Sequence, residues 1–137
     1  MDIIKNNKRV GIMNISCGTD IIEIDRIKEA IEKENNKFIE EIYTKEEIKY
    51  CESKKNAKYE HYAARFAAKE AIFKAISPFL KDKYLISWKN AEILNDKNQK
   101  PYINFVNIEF PQINSIDISI SHCKQYAVAN IVVLYQE

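Results

Sequence analysis

The segment from about residue 58 to 77 constrains the fold most, because its composition is typical of an α-helix. It is dense in Ala, Lys and Glu, and Pro78 directly follows it. At about 100° per residue, one stripe of this helix combines small, aromatic and charged residues, namely Ala63, Phe66, Ala67, Glu70 and Lys74. Small residues let a helix approach a sheet or another chain closely, so we expect this stripe to be packed rather than solvated.

Strands are predicted on both sides of this helix. Residues 12 to about 22 are rich in β-branched side chains, and Gly18 within them predicts a bulge or a close approach. After the helix, strands are predicted at residues 85–94, 102–105, 116–121 and 126–134. We expect these four strands to form two hairpins, with turns at residues 96–98 and 122–125.

Two short helices are predicted between the first strand and the long helix. One begins at Asp25, with Ile27 and Ile31 at helical spacing. The other begins at the capping box Thr44-Lys45-Glu46-Glu47. The predicted fold class is therefore α+β, with a long Ala-rich helix packed on a mostly antiparallel sheet.

Length and charge indicate one ordinary domain. We place it at residues 12–137 and interpret residues 1–11 as a leader or an early strand. The formal net charge is +1, from 21 basic and 20 acidic residues, which provides no overall field to attract nucleic acid or an anionic membrane. No apolar run approaches the roughly 20 residues that span a bilayer.

Cysteine and glycine counts limit the chemistry further. The three cysteines are far apart and show no metal-binding spacing, which fits a reducing compartment, and we expect a cytoplasmic protein. The two glycines are too few for a glycine-rich phosphate loop. Any phosphate must therefore be bound by side chains, by a metal ion or by helix ends.

Charged residues among apolar neighbours are the first candidates for chemistry. Glu70 and Lys74 are either an ion pair on the helix surface or a Mg²⁺ ligand beside a phosphate-binding ammonium. Asp20 lies in an otherwise apolar strand, and it is either a strand-end residue facing water or a second metal ligand, with Glu23 in reserve.

A polar strand end is the other candidate. Alternation places Ser119 and Ser121 on one face of their strand, and His122 falls at its end. Strand ends often carry functional residues, although a histidine in a surface turn gives the same pattern.

In their order along the chain, these residues resemble the holo-acyl-carrier-protein synthases, the small trimeric class of 4′-phosphopantetheinyl transferases. The resemblance covers about residues 12–134. It rests on Gly18-Thr19-Asp20-Ile21 with Arg26 downstream, Arg65-Phe66-Ala67-Ala68-Lys69-Glu70-Ala71 with Lys74-Ala75, Lys100-Pro101-Tyr102, and Ser119-Ile120-Ser121-His122 with Tyr126-Ala127.

The resemblance implies an enzyme that transfers the 4′-phosphopantetheine arm of coenzyme A to a serine of apo acyl carrier protein. The reaction would release 3′,5′-ADP and support fatty acid biosynthesis. Asp20 and Glu70 would hold Mg²⁺ and form the catalytic group together with Lys74, which would also contact the phosphates of coenzyme A.

The resemblance also implies roles for four more residues. Arg65 would bind the nucleotide end of coenzyme A, and Ser121 and His122 would line the coenzyme A site. Arg26 would contact the acidic carrier protein. The family fold would be a homotrimer with active sites at the subunit interfaces.

Two positions depart from the family pattern. Glycine often precedes the Arg-Phe block and the Lys-Pro motif, whereas this chain has Ala64 and Gln99 there. At position 64, Ala has a higher helix propensity than the Gly that it replaces. We expect Gln99 to alter the turn of the first hairpin.

Three other functions would explain part of the sequence. A non-catalytic module that binds coenzyme A or a carrier protein would not need paired metal-binding carboxylates. An RNA-binding domain could use the eight tyrosines, but the basic excess expected of such a domain is missing. A plain assembly subunit would explain the Ala-rich helix and leave the acidic residues in apolar segments unexplained.

Overall fold

The computed structural model describes residues 12–137, so the predicted leader or early strand at residues 1–11 lies outside the described residues. Within these residues, five strands and four α-helices follow one another in the order β1 (Asn14–Glu23), α1 (Ile24–Glu34), α2 (Asn36–Ile42), α3 (Lys45–Glu52), α4 (Lys58–Ile76), β2 (Ala91–Asn95), β3 (Pro101–Phe105), β4 (Ile113–His122) and β5 (Tyr126–Tyr135). The predicted α+β class is confirmed. Over the described part of the chain, no helix combines the length and the apolar character needed to cross a bilayer.

The strands form two antiparallel sheets. The larger sheet has the order β1-β5-β4, and the smaller one is the β2-β3 hairpin. Helix α4 packs on one face of the larger sheet, where its alanines meet buried side chains of β5 such as Ile131 and Val133. The short helices α1 to α3 enclose a second buried cluster against the first half of α4. The long predicted helix, both hairpins and the antiparallel pairing are confirmed.

Gly18 lets β1 lie almost in contact with the backbone of α4. A Cβ atom at this position would overlap the carbonyl oxygen of Ala71 and would lie 2.9 Å from the amide nitrogen of Ala75. Both obstacles are backbone atoms, so a larger residue could fit only if the strand and the helix moved apart. The predicted close approach at Gly18 is confirmed.

The turn of the small hairpin tolerates Gln99. The Asp96 carboxylate accepts hydrogen bonds from the amides of Asn98 and Lys100, at 2.8 Å and 2.9 Å. Gln99 completes the turn with φ of 66°, in the left-handed region that favours glycine. The turn geometry is therefore retained. The alteration expected from Gln99 is limited to local backbone strain at that residue.

The prediction of a strand over residues 85–94 was wrong for its first six residues. The 3-10 turns Lys83–Leu85 and Trp88–Asn90, with a two-residue link between them, occupy this stretch, and only the final residues belong to β2. Polar side chains explain this, because Asn90 accepts a hydrogen bond from the Ser87 amide at 2.7 Å and donates one to the Val106 carbonyl oxygen. Such local bonds compete with a strand ladder.

Short helices were predicted less completely than the long one. The capping box at Thr44 is present and opens α3 as predicted. Helix α2 was not predicted, because it is only seven residues long and follows Asn35, which has a positive φ of 54°.

We predict that Gly18→Ala lowers the free energy of unfolding by about 2 kcal/mol or more, the range typical of overpacked cores. Urea denaturation followed by circular dichroism measures this change. Ser16→Ala is the matched control, since it alters the same face of β1 without the steric overlap, and we expect its effect to stay within about 0.5 kcal/mol. Equal stability of Gly18→Ala and the wild type would contradict the close-packing argument.

Candidate active site

Asp20 and Glu70 face each other across the contact between β1 and α4. Asp20 follows Gly18 by two residues, so its side chain also points to the helix. Lys74 Nζ lies 3.3 Å from Asp20 Oδ1 and donates a second hydrogen bond to the Thr19 carbonyl oxygen at 3.0 Å. Lys74 is thus paired with Asp20, on the neighbouring strand, instead of with Glu70 on its own helix.

The electrostatics of Glu70 reflect this crowding. Burial raises the pKa of Glu70, the carboxylate of Asp20 raises it further, and Lys74 lowers it. Two carboxylates share one nearby ammonium group, so the pair has an excess of negative charge. A cation between the two carboxylates would offset the free-energy cost of burying their charge and would reduce the repulsion between them.

The donor set suits Mg²⁺. Asp20 and Glu70 offer only carboxylate oxygens, and Mg²⁺ is usually bound by one or two carboxylates together with water and substrate phosphates. Within residues 12–137, no group of three or more His, Cys, Asp and Glu side chains is arranged to hold a metal. The two-carboxylate arrangement therefore fits an ion that takes its remaining ligands from a substrate.

Arg65 lies on a different flank of α4 and is 3% exposed. Its Nη2 donates a hydrogen bond to Asn95 Oδ1 at 2.5 Å, and its guanidinium carbon lies 4.0 Å from the ring centroid of Tyr50. Its Nε is buried and has no hydrogen-bond partner among the described residues. The guanidinium lines a cavity of about 350 Å³ between α3 and the β2-β3 hairpin.

His122 lies near the same flank of α4 as Arg65. Its ring centroid is 5.8 Å from that of His61, and its Nδ1 lies 3.5 Å from Glu60 Oε2. Burial lowers the pKa of His61, and the positive charges of Arg65 and Lys54 lower it further. Arg65 and Lys54 thus place positive charge beside His61, while the Glu60 carboxylate lies next to His122.

Ser121 and Arg26 are exposed and lie apart from these groups. Ser121 is on the face of β4 that points away from α4, together with Ser119, while His122 contacts α4. Arg26 lies in the first turn of α1, whose other side buries Ile27.

One chain does not bring all the predicted residues together. Glu70 is five residues beyond Arg65, which corresponds to about 140° around the helix and about 7.5 Å along it. Asp20, Glu70 and Lys74 therefore form one group, and Arg65 and His122 form another on a different flank of the same helix.

A cavity of about 730 Å³ adjoins the carboxylate group. It is lined mainly by apolar side chains and two lysines: Phe73, Lys74, Ser77, Leu80, Lys81, Tyr84 and Ile86. This cavity was not predicted, because part of its wall was predicted to be a strand. Tyr50 and His61 were also missed, since neither lies in a recognisable motif.

The family model of the 4′-phosphopantetheinyl transferase superfamily matches residues 16–131. The chain is 46% identical to a holo-[acyl-carrier-protein] synthase of Ruminiclostridium cellulolyticum over 126 residues, covering 88% of this chain and 92% of the relative. It is 43% identical to the synthase of Protochlamydia amoebophila over 119 residues, covering 85% and 95%.

Solved structures agree with these sequence matches. The holo-(acyl-carrier-protein) synthase of Bacillus anthracis, in complex with CoA (3′,5′-ADP), superposes with a TM-score of 0.74 at 34% identity, covering 90% of this chain and 99% of that one. The Helicobacter pylori synthase in complex with coenzyme A gives 0.73 at 29% identity, covering 85% and 98%. Since the family model spans most of the sequence and the relatives match along nearly their whole length, this chain belongs to the 4′-phosphopantetheinyl transferase superfamily.

Proposed function

We propose that this chain is a holo-acyl-carrier-protein synthase, which transfers the 4′-phosphopantetheine group of coenzyme A to a serine of apo acyl carrier protein. The observation that carries the proposal is the grouping of Asp20, Glu70 and Lys74 in a chain that matches such synthases along nearly its whole length. A module that only binds would have no use for two crowded carboxylates.

Asp20 and Glu70 would hold Mg²⁺. When bound there, the ion would neutralise the pyrophosphate of coenzyme A and stabilise the charge that builds up on it. Lys74 has a side chain that is 55% exposed, so its ammonium can turn from Asp20 to a phosphate oxygen without leaving the site. The ammonium that lies beside the two carboxylates would then bind the substrate anion.

The reaction is a displacement at the β-phosphate of coenzyme A. The carrier serine oxygen bonds to that phosphorus, its hydroxyl proton is released, and the bond to the bridging oxygen breaks, so that 3′,5′-ADP leaves. Arg65 would bind the nucleotide end, where the leaving group carries its charge, and Ser121 and His122 would line the coenzyme A site. Position and electrostatics are the main contributions of a protein to phosphoryl transfer.

We also propose that the enzyme is a homotrimer with its active sites at the subunit interfaces. The face of the β1-β5-β4 sheet that points away from α4 exposes apolar side chains, with Ile15 at 71%, Ile21 at 63% and Val132 at 42%. An apolar sheet face of this kind is suited to burial against further copies of the chain. Assembly would also bring the carboxylate group of one subunit to the Arg65 and His122 group of the next, which a single chain keeps apart.

The proposed function also implies a carrier partner and a cellular compartment. Arg26 is exposed on α1 and would contact acidic side chains of the carrier, which we expect to be that of fatty acid biosynthesis. Cys17, Cys51 and Cys123 are free, which fits the reducing cytoplasm. We further propose that residues 12–137 act as one domain.

We predict a metal-dependent mass gain of one phosphopantetheine group when the chain, coenzyme A and apo acyl carrier protein are combined with Mg²⁺. Intact-protein mass spectrometry of the carrier measures it. Asp20→Asn and Glu70→Gln should each reduce kcat/KM by at least about 100-fold, because each would weaken the binding of the ion that stabilises charge in the transition state, and losing one such stabilising group typically costs this much. Excess chelator should abolish the gain.

Glu109→Gln is the matched control, because it removes an exposed carboxylate in the loop between β3 and β4. It should transfer at the wild-type rate. No mass gain with any of several carriers, from a folded chain that binds coenzyme A, would favour the non-catalytic binding module instead.

We predict that mixed trimers restore activity between two inactive variants. Glu70→Gln damages the group formed by Asp20, Glu70 and Lys74, and His122→Ala damages the group formed by Arg65 and His122. A site that takes one intact group from each of the two variants would still be active. The variants are unfolded together, refolded as a mixture and assayed for transfer. Mixing should recover a measurable fraction of wild-type activity, whereas a site contained within one chain would give none.

The oligomeric state provides an independent control. Val132→Asp places a charge on the open sheet face and should shift the sedimentation of the protein from trimer to monomer. Leu85→Asp changes another exposed apolar residue, outside the sheet, and should leave the sedimentation unchanged.

A further inference from the structure

We propose that the buried Glu47–Lys69 ion pair positions Arg65 for substrate binding, although neither residue of the pair can touch the substrate. The inference rests on the proposed function, in which Arg65 binds the nucleotide end of coenzyme A. It concerns residues that the catalytic grouping of Asp20, Glu70 and Lys74 does not use.

The ion pair is completely enclosed. Lys69 Nζ lies 2.8 Å from Glu47 Oε1, and both side chains are 0% exposed. The ammonium also donates hydrogen bonds to the carbonyl oxygens of Trp88, at 2.9 Å, and Ala91, at 2.7 Å. Burial lowers the pKa of Lys69, and the Glu47 carboxylate opposes that shift. All three donors are thus occupied inside the protein, which leaves none for a substrate.

Glu47 joins two further elements to α4 at this point. Its Oε1 accepts a hydrogen bond from the Thr44 amide at 2.9 Å, within the capping box that opens α3. Its Oε2 accepts one from the Ile93 amide at 2.9 Å, in the middle of β2. The pair therefore fixes α3 and β2 to the helix at Lys69.

From this anchor, both elements extend to Arg65, one turn before Lys69 on α4. Helix α3 continues to Tyr50, which packs against the guanidinium, and β2 continues to Asn95, which accepts its hydrogen bond. Because Arg65 Nε has no partner among the described residues, the position of the guanidinium depends on these two contacts. Movement of α3 or β2 would displace both of them at once.

Stability alone does not account for the pair. Buried ion pairs are often no more stabilising than apolar side chains of similar volume, because both charges must be desolvated. What the ion pair adds is direction, since each of its hydrogen bonds fixes an atom of a particular element. That directional role is what the placement of Arg65 requires.

The test is a double-mutant cycle between Lys69→Met and Arg65→Ala. Affinity for coenzyme A is measured by calorimetry, together with KM for coenzyme A, KM for the carrier and kcat. Lys69→Met alone should weaken coenzyme A binding about tenfold and leave KM for the carrier unchanged. It should lower kcat by a smaller factor than it lowers the affinity for coenzyme A. In the Arg65→Ala background it should have less than a twofold effect, because residues that act through a shared partner are not additive.

Two further variants separate positioning from loss of stability. Glu47→Gln/Lys69→Met removes both charges and keeps an acceptor oxygen for one of the two amides, so it serves if Lys69→Met alone does not fold. Val133→Ala creates a cavity in the core between α4 and the sheet, and its coenzyme A affinity should match the wild type despite a lower melting temperature.

Additive effects of Lys69→Met and Arg65→Ala would overturn the positioning role, and so would a tenfold affinity loss in Val133→Ala. A wild-type protein that neither binds coenzyme A nor modifies a carrier would overturn the proposed function itself. An active wild type with an additive cycle would overturn only the present inference.

Discussion

The contact between Gly18 and the backbone of α4 is the constraint on which the site depends. Without a side chain at this position, β1 reaches the Ala71 and Ala75 turn of the helix directly. Two residues further along the strand, Asp20 consequently lies beside Lys74 and close enough to Glu70 to raise its pKa. A looser strand–helix contact would separate the carboxylates, so the steric property of one glycine determines the electrostatic property of the site.

A second constraint acts on the other side of the same helix. There α3 and β2 are joined to α4 by a buried ion pair instead of by close packing. Glu47 pairs with Lys69 and accepts hydrogen bonds from the backbone amides of Thr44 and Ile93. Helix α4 thus has an apolar flank that fixes the carboxylates and a polar flank that fixes Arg65. The two flanks meet different parts of the fold, which explains why the predicted residues form two groups within one chain.

Local patterns accounted for most of the secondary structure. Helix α4, the capping box of α3 and both hairpins have periodicities or turn residues that are readable within a few positions. Helix α2 was missed because seven residues carry too little periodicity. The strand over residues 85–94 was predicted too long because apolar composition there conceals the side-chain bonds of Ser87 and Asn90.

The candidate site was predictable only in part, for a related reason. Asp20, Glu70 and Lys74 were found as charges in apolar segments and through the family resemblance. The partners of Arg65 and Lys69 could not be found this way, because Tyr50, Asn95 and Glu47 lie 15 to 30 residues away in the chain. These contacts form only when α3, α4 and β2 pack together, so no local sequence pattern predicts them.

Lys69 and Lys74 of α4 also differ in their reactivity toward acylating compounds. An amine is acylated only when it is accessible and has lost its proton. Lys69 is 0% exposed with all its donors occupied, while the Lys74 side chain is 55% exposed. Thioesters or other activated acids would therefore acylate Lys74 in preference to Lys69 and remove its charge. Such a modification would abolish phosphate binding by Lys74. The fold would stay intact, because Lys69 and its buried contacts are not modified.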